Sequence, residues 1–300
     1  MVEKLVKMHQ PGFDLQLKRL RRSITISGKS QSTLTNYARC LAHMGLHLNC
    51  DLLELDDEVI QDYLHFLKRK HHTPSDSFFK HTVYGLRYLF RIFDRKESSV
   101  ILPSIERPKK LPVVLSQQEV KKLLKAPKLL KHRLILALLY GCGLRNFECC
   151  KIKISDIDLD RKMLHIREGK GRKDRYVPLC DLLTRGIKTY LEVEKPIDYL
   201  FNGNNSAGEP VPISTRGVQW AAREARRASG IQKQVTAHCL RHTYATHLLE
   251  MGTDIFTLKE LLGHVDINTT LIYLHACPVL GMARVGRKIP FSPLEKLYEE

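Results

Sequence analysis

The first third of the chain repeats its apolar positions with the period of a helix. Leu34, Tyr37, Leu41 and Met44 recur at spacings of three and four residues, which places them on one face of a helix that Ser30 or Ser32 can cap. Asp56 or Asp57 can cap the next, with Val59, Ile60, Tyr63, Leu64 and Leu67 along one side. A third helix is predicted over residues 77–93, where Phe79, Val83, Leu86, Leu89, Phe90 and Phe93 stay in phase. A shorter pattern over residues 13–20 predicts an earlier helix.

The periodicity stops between residues 98 and 115. Pro103, Pro108 and Pro112 fall there together with Arg107, Lys109 and Lys110, as in an extended linker. Ser116-Gln117-Gln118-Glu119 then makes a capping box before Val120, Leu123 and Leu124, a helix start and the start of a second domain. The chain is thus divided into a helical domain at 1–107, a linker at 108–115 and a second domain at 116–300. In the second domain, helices are expected at 133–140, ended by Gly141 and Gly143, at 215–228, at 240–250 before Gly252, and at 257–262 before Gly263. Two strands, 163–166 and 175–179, flank the turn Gly169-Lys170-Gly171-Arg172-Lys173-Asp174. The fold class read from these patterns is mainly α with a small β-sheet.

Charge narrows the choice of partner. The 300 residues carry a net +17, which favours a polyanion: DNA, RNA or an anionic membrane. Both domains are basic, with 17 Lys and Arg against 12 Asp and Glu in residues 1–107 and 32 against 20 in the rest. Two basic domains on a basic linker suit a clamp around a duplex. A single cluster such as Lys18-Arg19-Leu20-Arg21-Arg22 also fits a solvated helix face. The sequence has no run of ~18 uncharged apolar residues, and its start has no apolar core of signal-peptide length. No membrane role and a cytoplasmic location are therefore expected. Eight cysteines without a C-x-x-C pair are expected to be reduced and mostly buried.

Residues able to handle a phosphodiester gather between His238 and Tyr273. His238-Cys239-Leu240-Arg241-His242 is followed by Leu261-Leu262-Gly263-His264 and Thr269-Thr270-Leu271-Ile272-Tyr273. Arginine and histidine donate hydrogen bonds to phosphate oxygens, and a tyrosine oxygen can attack phosphorus. His238 and Arg241 stand at i and i+3 of a helix start, so both can face one phosphate. The pair His238 and His242 has metal-ligand spacing, but the glutamate of H-E-x-x-H is missing and Arg241 would repel a dication. His242 and His247 read as structural or exposed. Arg145 follows two glycines in Gly141-Cys142-Gly143-Leu144-Arg145-Asn146-Phe147-Glu148, where the backbone can turn it into a cleft. Lys170 sits at the tip of the predicted hairpin, either an ordinary charged turn or an ammonium carried toward DNA.

In order and context, these boxes resemble the tyrosine recombinase (phage integrase) family: G-L-R-x-x-E at Arg145 and Glu148, G-K-G-x-K-x-R-x-V-P-L around Lys170, H-x-x-R, L-L-G-H and T-T-x-I-Y. The resemblance covers most of residues 116–280. It implies a helical core-binding domain followed by a mixed α+β catalytic domain, and an enzyme that cuts and rejoins DNA without metal or other cofactor. Tyr273 would be the nucleophile, displacing a 5′ hydroxyl and leaving a 3′-phosphotyrosyl link. Arg145 and Arg241 would clamp the non-bridging oxygens, His264 would add a hydrogen bond, and Lys170 would be the general acid. His238 is the candidate base or an orienting group, and Glu148 positions its neighbours. The implied partner is a double-stranded recombination site, held by a homotetramer or with a paralogous recombinase. The tail from residue 275 would pack on a neighbouring subunit through Phe291, Leu294 and Leu297. The rival readings are a type IB topoisomerase and a catalytically silent DNA-binding regulator on the same scaffold.

Overall fold

A computed structural model describes residues 11–69, 76–95, 102–105, 111–167, 174–203, 208–274 and 292–297. The chain divides into two units, Met1–Pro108 and Lys109–Glu300.

The first unit is helical: α1 (Pro11–Ile26), α2 (Gln31–Leu48), α3 (Asp57–Arg69) and α4 (Asp76–Ile92). Ser30 is the cap of α2, its hydroxyl accepting from the Thr33 N–H. At the other end, Asn49 takes the left-handed conformation that closes the helix. Leu34, Leu41, Met44, Ile60, Leu64, Val83, Leu86 and Phe90 meet in one core, as the periodicity predicts. Val59 departs from the expected face and is exposed: only four positions of α3 turn inward, and Val59 precedes the buried stripe that begins at Ile60. On α1, Leu20 is buried while Lys18, Arg19, Arg21 and Arg22 face solvent. α1 is thus apolar inside and strongly cationic outside.

The second unit begins with α5 (Gln117–Lys125), whose Ser116 and Glu119 form the predicted capping box. α6 (Leu130–Gly141) follows and is buried on most sides. Then come α7 (Asn146–Cys150), a 3₁₀ turn (Ile154–Asp156), and the antiparallel sheet of β1 (Ile157–Asp158), β2 (Met163–Ile166) and β3 (Arg175–Pro178). Leu164 pairs with Val177 and Ile166 with Arg175. α8 (Asp181–Glu194), the small ladder β4 (Asn202–Gly203) and β5 (Val211–Pro212), α9 (Thr215–Ser229), α10 (Ala237–Glu250), α11 (Ile255–Leu262), α12 (Asn268–Leu271) and α13 (Leu294–Leu297) complete it. α8 and β1 go beyond the elements read from sequence. Leu115, in the stretch read as linker, is buried in this unit, with its N–H donating to the Thr243 hydroxyl.

α10 carries apolar and polar buried side chains on one helix. It is buried on nearly all sides, so its amphipathic period is weak and its polar groups must find partners inside. His247 does so: Nδ1 meets the Tyr140 hydroxyl at 2.8 Å and Nε2 meets the Leu115 carbonyl at 2.9 Å. A carbonyl can only accept, so Nε2 carries the proton and Nδ1 accepts from the phenol.

The described part of the tail, residues 292–297, packs on its own unit in the single chain. Leu294 and Leu297 are buried in their own unit's core, and the Ser292 hydroxyl donates to the Gly141 carbonyl at 2.7 Å. Leu294 lies beside Gly141, where an added Cβ would collide with its Cδ1. Phe291 lies outside the described residues, as do Lys170 and Cys277. The other seven cysteines are free, and six are buried. Among the described residues, no helix is long and apolar enough to cross a membrane.

Candidate active site

Four segments bring the site together: the turn from α6 into α7, the start of β3, the first two turns of α10, and the stretch from the end of α11 to Tyr273. Each is set by a local sequence signal. Gly143 has φ +59°, which only glycine adopts without strain, and Arg145 then opens α7. Thr236 caps α10 by accepting from the Cys239 N–H, placing His238 in its first turn. Asp254 caps α11 and left-handed Gly263 ends it, which turns the chain so that His264 points inward.

Glu148 is the electrostatic centre. Its Oε2 accepts from the Arg145 backbone N–H at 2.8 Å, and its Oε1 from Arg145 Nη1 at 2.7 Å. Arg175 adds a two-pronged pair, Nη1 to Oε1 at 2.9 Å and Nη2 to Oε2 at 2.8 Å. Arg241 Nη1 lies 3.8 Å from Oε2. Burial alone would raise the carboxyl's pKa, but the Arg175 bonds and charge, then Arg145 and Arg241, overcome it and bring it down to about 2. One anion thus holds three cations in a site that would otherwise repel them.

Arg241 is 1% exposed. Nη1 donates to the Gly143 carbonyl at 2.6 Å, and Nη2 to the Leu262 carbonyl at 2.7 Å and to His264 Nε2 at 3.0 Å. Burial, then the positive charge of Arg145, pulls its pKa down to about 10, so it stays charged near neutral pH. A guanidinium cannot accept, so His264 Nε2 is the acceptor. The His264 proton therefore sits on Nδ1, which donates to the Thr270 hydroxyl at 2.8 Å. Arg145 is the more open of the two arginines and also donates to the Gly263 carbonyl at 3.3 Å.

Tyr273 is 1% exposed, packed near-parallel to His264 with ring centres 6.4 Å apart. Burial raises the pKa of its phenol, and Arg241 and Arg145 oppose the rise. The imidazole on the phenol oxygen is that of His242, whose Nδ1 lies 3.1 Å from it. His238 is the next ring along, edge-on to His242 at 4.2 Å between centroids. It faces solvent, and the desolvated part of its ring, then Arg241 and Arg145, lower its pKa. Cys239, inside the H-x-x-R box, turns away and donates to the Val113 carbonyl.

The structure therefore brings Arg145, Glu148, His238, Arg241, His264 and Tyr273 into one site, while Lys170 lies outside the described residues. Sequence reasoning passed over Arg175 and His242. Arg175 stands in the quoted hairpin motif, and its position at the start of a strand beside a buried acid was the available signal. His242 lies one turn beyond His238 and next to Arg241, a spacing weighed only for metal binding.

A buried phenol ringed by guanidinium and imidazole groups, on a mainly helical unit, has the chemistry to take a phosphoryl group covalently. Residues 113–278 match the model of the phage integrase family. The chain is 34% identical over 261 residues to the putative integrase/recombinase y4qK of Sinorhizobium fredii, covering 86% of this chain and 83% of that protein. It is 35% identical over 255 residues to the tyrosine recombinase XerA of Thermococcus kodakarensis, covering 83% and 86%. A crystal structure of XerA recombinase aligns over 87% of this chain and 93% of that one, with 30% identity and a TM-score of 0.50. A lambda integrase dimer bound to a core site shares the fold, at 21% identity and a TM-score of 0.71, over 92% and 98%. The chain belongs to the phage integrase family of tyrosine recombinases.

Proposed function

We propose that this chain is a site-specific recombinase that breaks and rejoins DNA through Tyr273. The observation that carries the reading is the phenol itself, held beside His242, His264 and Arg241 with Arg145 at the open side of the cluster. The Tyr273 oxygen bonds to phosphorus, the bond to the 5′ oxygen breaks, and a 3′-phosphotyrosyl link remains. Arg145 and Arg241 stabilise the charge that grows on the non-bridging oxygens, and Glu148 holds both in place. His238, exposed at the start of α10, orients the phosphate. Lys170 gives a proton to the departing 5′ oxygen. His264 supports Arg241 through Nε2. The phosphotyrosyl bond conserves the energy of the phosphodiester, so a 5′ hydroxyl from a partner strand can reverse the step without ATP.

The basic outer face of α1 supports a DNA-binding role for the first unit, and the net charge of +17 supports a duplex partner for the whole chain. Strand exchange between two duplexes calls for four active sites. We therefore assign a tetramer on DNA, of this chain alone or with a paralogous recombinase, acting in the cytoplasm. The test is covalent trapping on nicked duplexes taken from DNA beside the protein's own coding sequence, with EDTA present. The expected product is an SDS-resistant adduct that disappears in Tyr273→Phe. An adduct of undiminished yield in Tyr273→Phe would overturn the assignment. Relaxation of supercoils without exchange of strands between duplexes would indicate a topoisomerase instead.

A further inference from the structure

We propose that His242, rather than His238, receives the Tyr273 proton as the phenol oxygen bonds to phosphorus. The inference rests on the recombinase reading above and deepens it. A phenol is a weak nucleophile until its proton leaves, and the acceptor must lie within hydrogen-bond reach of the oxygen. His242 Nδ1 is 3.1 Å from that oxygen, and the two rings are 5.5 Å apart between centroids. Both residues come from well-fixed backbone: His242 from the second turn of α10, and Tyr273 from the turn closed by its N–H on the Thr270 carbonyl.

The surroundings keep His242 unprotonated, so its ring nitrogen is open to a hydrogen bond from the phenol. It is partly buried, with His238 and Arg241 on its own helix and Tyr273 beyond α12. Arg145, at the start of α7, acts on both His238 and Tyr273. Burial first, then His238 and Arg241, lower the His242 pKa to about 4. The imidazole is thus neutral near pH 7, and in the tautomer with its proton on Nε2 it accepts the phenol's hydrogen bond. The other imidazoles are differently engaged. His264 uses Nε2 for Arg241 and Nδ1 for Thr270, and His238 meets the His242 ring edge-on at 4.2 Å between centroids.

The step balances simply. The phenolic proton moves to Nδ1 as the oxygen–phosphorus bond forms, and the phosphorus–5′ oxygen bond breaks. The leaving oxygen takes a different proton, assigned to Lys170. On rejoining, the 5′ hydroxyl attacks, the phenolate departs and His242 returns its proton. His242 and Lys170 thus serve opposite ends of one displacement, and a substrate that changes only the leaving atom separates them.

The experiment measures single-turnover cleavage by the full-length chain. Its duplex carries the site recovered by trapping, and is made both with the ordinary 5′ oxygen and with sulfur at the 5′ bridging position. His242→Asn, which keeps a hydrogen-bonding group near Nδ1 but cannot take a proton, and His242→Ala are compared with the parent. Thermal unfolding and DNA binding confirm that each variant is folded. We expect cleavage to slow by about 100-fold in both variants, to speed up as pH rises from 6 to 9 in the variants alone, and to recover partly for His242→Ala in added imidazole. Sulfur, a leaving group that needs no proton, should leave the His242 defect in place. Rescue of either variant by sulfur would move His242 to the leaving-group side and overturn the proposal. So would parental rates and pH profile in folded variants that still form the Tyr273 adduct. If the parent yields no Tyr273-dependent adduct, the recombinase reading itself falls, and this inference with it.

Discussion

Arg175 and Glu148 form a buried, two-pronged ion pair: both terminal nitrogens of the guanidinium lie within 3 Å of the two carboxylate oxygens. The pair joins the first strand residue after the hairpin to the helix that follows Arg145. Arg175 Nε also donates to the Leu261 carbonyl at 3.0 Å, so the same side chain reaches the end of α11. Arg175 therefore ties the hairpin base to the segment that carries His264, with Glu148 as the common acceptor.

Removing the carboxylate should be costly. Glu148 has a folded pKa of about 2 against an ordinary value of 4.5. Because the folded value is the lower one, the stabilisation is fully present above pH 4.5 and is lost as pH falls toward 2. The shift corresponds to about 3 kcal/mol, and a buried cation left without its partner costs a similar amount. Glu148→Gln should therefore lower the unfolding free energy by about 3 kcal/mol at pH 7. Urea titrations of both proteins should converge below pH 4.5, and a constant difference across that range would refute the assignment.

Gly143 should tolerate no side chain. Its φ is +59°, and a Cβ there would sit 2.4 Å from Cδ1 of the Tyr244 ring. Tyr244 is fully buried and has little room to yield. The Gly143 carbonyl also accepts from Arg241, so any backbone shift moves the guanidinium as well. Gly143→Ala is expected to cost about 2 kcal/mol or more and to slow cleavage beyond what the loss of folded protein explains. Single-turnover rates at a temperature where the variant remains folded will separate the two effects.

These two residues show what could be read from the sequence. The helical periods of the first unit, the strands at Met163–Ile166 and Arg175–Pro178 and the helix at His238 follow from local pattern, because each element buries one regular face or carries its own cap. The order of the boxes singled out Tyr273 and the residues around it. What the sequence hid is non-local. Arg175 meets Glu148 across 27 positions, and the Arg241 anchors are main-chain carbonyls at Gly143 and Leu262, which carry no side-chain signature. α10 is buried nearly all round and mixes polar with apolar side chains, so periodicity could not say which way His242 points. The positive φ at Gly143 fits a glycine turn, but the close approach of Tyr244 became visible only once α6 and α10 were packed together.

His247 predicts how the protein responds to mild acid. Burial lowers its pKa, and the hydrogen bond to the Leu115 carbonyl opposes this in part. The folded state holds it neutral between Tyr140 and Leu115. A histidine with a folded pKa below its unfolded value, 6.5, contributes stability that is present above that pH and is lost as pH falls. The parent should thus lose stability between pH 7 and 5. His247→Gln, which removes the titration, should lose less over the same interval, whatever its stability at pH 7. Equal slopes in chemical denaturation would show that His247 is not held neutral.

The tail residues give the last prediction. Leu294 is buried against Gly141 and Leu183, and Ser292 caps that contact by donating to the Gly141 carbonyl. α13 is only four residues long, so it cannot be stable alone and its energy comes from this docking. If the docked position is the one held in free solution, Leu294→Ala should cost about 2–4 kcal/mol in the DNA-free protein. Leu297→Ala, also buried, should behave alike. A tail that instead reached a neighbouring subunit would leave monomer stability unchanged by either substitution and would show the loss only in assembly on DNA. Denaturation of the free protein, set beside its oligomeric state by analytical ultracentrifugation with and without DNA, distinguishes the two arrangements.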